Sequence, residues 1–135
     1  MPSLNQNSTL VTATSNSITS SPNSSVNTCK VYFNSSLGNT ATTVVSSQCR
    51  LHGFHIENPG TSKCYIQFFD ATAQNVNLGT TTPKMSFLLV PSGGLDNFYP
   101  MALAGFDTAL TIAVTSSSNG SSAPSANCLI NLFYI

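Results

Sequence analysis

Charge is what this sequence has least of. Lys and Arg together number 4, Asp and Glu 4, so charged residues make up 6% of 135 and the formal net charge is zero. An average soluble protein carries about 25% charged residues. A chain this neutral has no electrostatic footprint for DNA, RNA or an anionic membrane, so neither nucleic acid nor membrane is expected as a partner. The same neutrality removes the repulsion that keeps copies of a protein apart, which favours association. Long apolar runs are also missing: no stretch approaches the roughly 18 residues of a membrane span. The opening residues MPSLNQNSTL have neither the basic start nor the apolar centre of a signal peptide, so export by that route is not expected.

The residues that carry chemistry are equally sparse. His52 and His55 are the two histidines, and at positions i and i+3 of a regular strand they point to opposite faces, where they cannot share a metal. Cys29, Cys49, Cys64 and Cys128 form no Cys-x-x-Cys and stand near no histidine pair, which argues against zinc. The acids are Glu57, Asp70, Asp96 and Asp107. A glycosidase needs two carboxylates about 5–9.5 Å apart across a sugar, and Glu57 and Asp70 instead read as strand-end and turn residues. There is no Gly-x-Ser-x-Gly elbow and no glycine-rich phosphate loop ending in Lys. No catalytic residue, metal, cofactor or small-molecule substrate is therefore expected, and the chain does not read as an enzyme.

Ser, Thr and Asn supply the polar surface instead. Residues 1–27 stand apart, with no charge, no aromatic and no glycine. Their apolar side chains are thin: Leu4, Leu10, Val11, Ile18 and Val26. Such a segment cannot repay its ordering entropy alone. Its Thr and Val content favours an extended arm that orders by adding to the sheet edge of a partner.

From residue 28 onward the pattern is one of strands separated by turns. Residues 28–34 alternate Val31 and Phe33 against Lys30 and Tyr32, with a turn at 35–39. Residues 40–46 are mostly β-branched. In 48–57, His52, Phe54 and Ile56 share one face and Leu51, Gly53 and His55 the other. Asn58-Pro59-Gly60 is a turn, because Pro presets φ near −65° and Gly accepts positive φ. Residues 62–70 follow, with Cys64, Ile66 and Phe68 opposite Tyr65, Gln67 and Phe69; this strand should pair with 48–57 as an antiparallel hairpin. After a loop at 71–83 come an apolar strand at 84–90 and a Ser92-Gly93-Gly94 turn. An aromatic segment at 95–101, broken by Pro100, suits a sheet edge. Residues 108–115 place Leu110, Ile112 and Val114 inward and Thr111, Ala113 and Thr115 outward. A flexible loop at 116–125 leads to a last strand at 126–135. The expected fold is all-β: an antiparallel β-sandwich, jelly-roll-like, of about seven strands over residues 28–135, carrying the 1–27 arm. The four cysteines fall in strands. They read as buried small apolar side chains or as disulfides formed in an oxidising medium, and spacing does not choose a pairing.

The residues Asn58-Pro59, then Tyr65-Ile66-x-Phe68-Phe69-Asp70, Gly79-Thr80-x-x-Pro83, an apolar strand and Pro91-x-Gly93 resemble a family of small β-sandwich structural proteins of tailed phages. The strand Leu110-Thr111-Ile112-Ala113-Val114-Thr115 is similar to theirs as well. The likeness begins near residue 45, takes in more than half of the chain and leaves the arm outside it. It implies a structural virion protein on the capsid surface: a cement or decoration subunit that bridges and stabilises the major capsid protein. The arm, through Leu4, Leu10, Val11 and Ile18, is then expected to contact the capsid, since 27 extended residues span up to roughly 90 Å. A homotrimer is the expected assembly, with Tyr65 and Phe69 at the subunit interface. The alternative is a fibre, tail or adhesin module that binds host-surface glycans through the tips of loops 71–83 and 116–125.

Overall fold

A computed structural model describes residues 28–98 and 101–135. The arm, including Leu4, Leu10, Val11 and Ile18, lies outside the described residues, as does Pro100. The described chain runs β1 (Lys30–Leu37), β2 (Thr42–Val45), β3 (Cys49–Asn58), β4 (Cys64–Phe69), a short 3-10 turn (Ala73–Asn75), β5 (Met85–Leu89), β6 (Gly93–Phe98), β7 (Ala104–Phe106), β8 (Leu110–Thr115) and β9 (Cys128–Tyr134). The strands form two antiparallel sheets, β1-β9-β3-β6 with β7 beside β3, and β2-β8-β4-β5. Successive strands change sheet except at β4–β5 and β6–β7, and the two sheet orders are those of the double Greek key of a jelly roll. The all-β sandwich expected from the sequence is the observed fold. β6 lies at a sheet edge, and β9 runs between β1 and β3. The strands number nine rather than about seven among the described residues. β7, missed from the sequence, is three residues long and too short to show an alternation.

The core follows from period-2 alternation. Phe54, Ile56, Ile130 and Leu132 of one sheet meet Ile66, Phe68, Leu110, Ile112 and Val114 of the other, all fully buried. At the centre Phe54, Phe68 and Phe87 stack with ring centroids 5.2, 5.6 and 6.0 Å apart, separations at which aromatic pairs attract beyond their area burial.

Several local readings are corrected. β3 and β4 do not form a hairpin. They lie in different sheets, so Asn58-Pro59-Gly60 is the corner of an arch rather than a hairpin turn. Asn58 builds that corner. Its buried amide donates to the carbonyls of Ser62, Leu89 and Val90 at 3.1, 3.3 and 3.1 Å, and its Oδ1 accepts the Gly60 N–H at 2.9 Å. β1 runs on to Leu37 through a register shift after Asn34, where a turn was expected. Gly93 and Gly94 belong to β6, and the turn before them uses Ser92 at φ 52°. In β3 the register shifts between Leu51 and Gly53, a bulge at His52. Leu51 and Phe54 are thus both buried while His52 is half-exposed, so His52 does not share the Phe54 face.

All six residues of β8 are buried, including Thr111, Ala113 and Thr115, which were expected outside. Two loops cover that face. The Thr111 hydroxyl donates to the Ala71 carbonyl at 2.5 Å, and the Ala73 N–H donates to Thr43 Oγ1 at 2.8 Å. On the other side Gln67 Nε2 donates to Thr115 Oγ1 and, at 3.1 Å, to the Gly120 carbonyl. The 116–125 loop closes on itself through Ser116 N–H to the Ser122 carbonyl at 3.0 Å, so it is a fastened cover rather than a free loop.

Candidate interaction surface

Loops cover β8 on one sheet and leave Leu88 of β5 exposed there; on the other sheet the outer face of β1-β9-β3-β6 is open. Pairing register assembles that face from distant parts of the chain. Val31 stands opposite Phe133, Phe133 opposite Gly53, and Gly53 opposite Phe98. This is one row across four strands. Gly53 has no side chain to place in it, so the Phe98 and Phe133 rings meet above it, 5.4 Å between centroids. A Cβ at Gly53 would stand 2.6 Å from both the Phe98 ring and the Asn97 carbonyl, which is why glycine is required there. The next row is Phe33, Asn131, His55 and Asp96. The third holds Leu129, Glu57 and Gly94.

The exposures are unusual for such side chains: Val31 57%, Phe33 57% and Phe98 55%. At 150–250 Å² per aromatic side chain, these three leave roughly 300 Å² of apolar surface in water. Patches of that size on a monomer are often functional. Among the described residues β1 is also the outermost strand of its sheet, so the row runs out to a sheet edge, and edge strands are templates for another chain.

The polar groups of this face are few. His55 Nδ1 lies 2.5 Å from Asp96 Oδ1, and its Nε2 lies 3.8 Å from Glu57. This dyad engages no hydroxyl or thiol nucleophile among the described residues. No group of three or more His, Cys, Asp or Glu is placed to hold a metal among them either. At the far end of the face, Glu57, Gly94, Leu129, Asn127, Ser35 and Ser92 border a shallow cleft of about 620 Å³.

The residues expected at the subunit interface separate. Phe69 is 1% exposed, buried within its own chain beneath the loop cover, and has no surface to offer a neighbour. Tyr65 is half-buried and stands opposite Leu88, which is 48% exposed, on the sheet with β5 at its edge. Asp70 closes the end of β4. Its carboxylate accepts the N–H groups of Asp107, Thr108 and Ala109 at 3.1, 2.8 and 3.3 Å. Burial pulls its pKa up, but those N–H groups and the Lys84 charge outweigh it and hold the carboxyl below its ordinary value.

No family model, no curated protein and no solved structure matches this chain.

Proposed function

We propose that this protein is a structural subunit that works by contact with other protein subunits: a cement or decoration protein of a virion, bridging copies of the major capsid protein. The observation that carries the reading is the apolar row Val31–Phe133–Phe98 on the outer face of β1-β9-β3-β6. In sequence, residues 1–27 precede β1, the strand that opens that row. Supporting it are the near-absence of charge, the jelly-roll fold, which viral capsid and lectin domains share, and the sequence resemblance. Fold alone would not assign the role.

Magnitudes say why an arm would be needed. Covering roughly 300 Å² at about 25 cal/mol/Å² is worth at most about 7 kcal/mol. Association costs about 4–15 kcal/mol, so the row alone gives weak binding. A second contact made by a tethered segment becomes effectively intramolecular once the first has formed, which raises avidity without enlarging the row. In a homotrimer the row, rather than Tyr65 and Phe69, is the surface that neighbouring copies would cover.

Cosedimentation with capsids that lack this protein tests the reading, using the full chain and a chain without residues 1–27. Saturable binding by the full chain that weakens sharply on truncation supports it. No binding by either form overturns it.

The glycan-binding reading has one observation of its own. Asn131, His55, Asp96 and Glu57 supply hydrogen-bonding groups beside the Phe98 and Phe133 rings, next to the cleft. Saturable glycan-array binding abolished by Phe98→Ala would favour a fibre or adhesin module over cement.

A further inference from the structure

The Cys64 and Cys128 sulfurs lie 3.7 Å apart, in contact, and both residues are fully buried. Cys64 opens β4 in one sheet and Cys128 opens β9 in the other. Cys49 is buried and Cys29 half-buried, and neither touches another sulfur among the described residues.

We infer that Cys64 and Cys128 are a thiol pair that closes into a disulfide joining the two sheets when the protein meets an oxidising medium. The oxidant is an external disulfide, RSSR. One protein thiolate attacks it and expels RS⁻, leaving a mixed disulfide. The second thiolate attacks that bond at the protein sulfur and expels the other RS⁻, and the two leaving thiolates take up the protons the cysteines lost. The two cysteines are oxidised by two electrons and RSSR is reduced to two RSH. To bond, the sulfurs must approach from 3.7 Å to about 2.05 Å.

The fold delays this reaction. Burial pushes the Cys128 thiol up to about 12, and the neighbouring Cys64 adds to it; burial likewise raises Cys64. Few thiolates exist in the closed state, and thiolate is the attacking species. Exchange therefore proceeds through local opening. Cys64 stands opposite Leu89, whose carbonyl accepts from the Asn58 amide, and the segment before it is fastened where the Ser62 N–H donates to Ser125 Oγ at 3.2 Å. A cytosolic, reducing environment keeps the thiols free, and later oxidation ties the sheets together across a long loop, which restricts the unfolded chain.

The sequence makes the test direct. Lys30, Arg50, Lys63 and Lys84 are all the lysines and arginines, so trypsin leaves each cysteine on its own fragment. The folded full chain is incubated with oxidised glutathione, quenched by alkylation, digested and mapped without reduction. The expected result is a link between fragments 64–84 and 85–135, with a Tm higher by on the order of 10 °C that dithiothreitol reverses. Cys128→Ala should give no linked fragment. A link through Cys29 or Cys49, or four free thiols after incubation long enough for local opening, overturns the inference. The wild-type map decides the outcome even if the variant does not fold.

Discussion

Replacing Asn58 by alanine removes four hydrogen bonds made by one buried side chain. The Gly60 N–H and the Leu89 carbonyl are themselves buried at that corner and lose their side-chain partner. A buried group left unsatisfied costs about 1–3 kcal/mol. Asn58 also borders the cleft, so water reaches part of the site, and the expected loss is about 2–4 kcal/mol. That is a large share of the roughly 5–15 kcal/mol by which domains are stable. Urea unfolding followed by far-UV circular dichroism should show a lower midpoint at unchanged m-value. Asn58→Asp sharpens the case. It keeps the acceptor for Gly60 but turns an oxygen toward the carbonyls of Ser62, Leu89 and Val90. At neutral pH it should be at least as damaging as alanine. Those carbonyls disfavour the ionised form, so the folded-state pKa is raised above the unfolded value of about 3.9. A raised carboxyl contributes its stability below the unfolded pKa and loses it as pH rises through the folded pKa. The aspartate variant should therefore regain ground on wild type as pH falls toward 4. An alanine variant within about 0.5 kcal/mol of wild type, the usual range for surface changes, would refute the role assigned to this corner. So would an aspartate variant equal to wild type at neutral pH.

Other perturbations read other parts of the fold. Asp70→Ala should cost roughly 1–2 kcal/mol through three lost N–H acceptor bonds, discounted for exposure. Because the Asp70 pKa is lowered in the fold, its contribution is present above the unfolded value and disappears as pH falls through the folded one. The alanine and wild-type denaturation midpoints should therefore converge in acid. Gly53→Ala places a Cβ against the Asn97 carbonyl and the Phe98 ring, and overpacking of that kind costs about 1–3 kcal/mol; a midpoint unchanged in urea would contradict it. Phe68→Ala opens the aromatic trio at the core and should cost about 3–5 kcal/mol, measured by the same titration.

Strands and turns were legible because alternation and turn chemistry are local. The alternation in 62–70 gives the true inward set Cys64, Ile66 and Phe68. Partnering was not legible: Asn58-Pro59-Gly60 specifies a reversal but not whether the next strand returns to the same sheet, and here it crosses over. A single bulge at His52 was enough to change which residues of 48–57 face inward, since strand period is 2. The loop cover was hidden too, because Thr111 and Thr115 read as surface residues until Ala71 and Gln67 are seen to satisfy their hydroxyls. The apolar row was the hardest to see. Val31, Phe98 and Phe133 stand far apart in sequence and only pairing register joins them. The one local signal was the alternation of Val31 and Phe33 against Lys30 and Tyr32, which leaves open which face meets the core. The structure gives Tyr32 to the core and Val31 and Phe33 to solvent.

Sedimentation velocity of the full chain at micromolar concentration, beside a Val31→Thr, Phe98→Ser variant, tests most directly whether this protein works through contact between subunits. Wild-type protein should sediment as a homotrimer and the variant as a folded monomer with unchanged circular dichroism. A wild-type chain that stays monomeric, or a variant that assembles as well as wild type, would contradict the role given to the row.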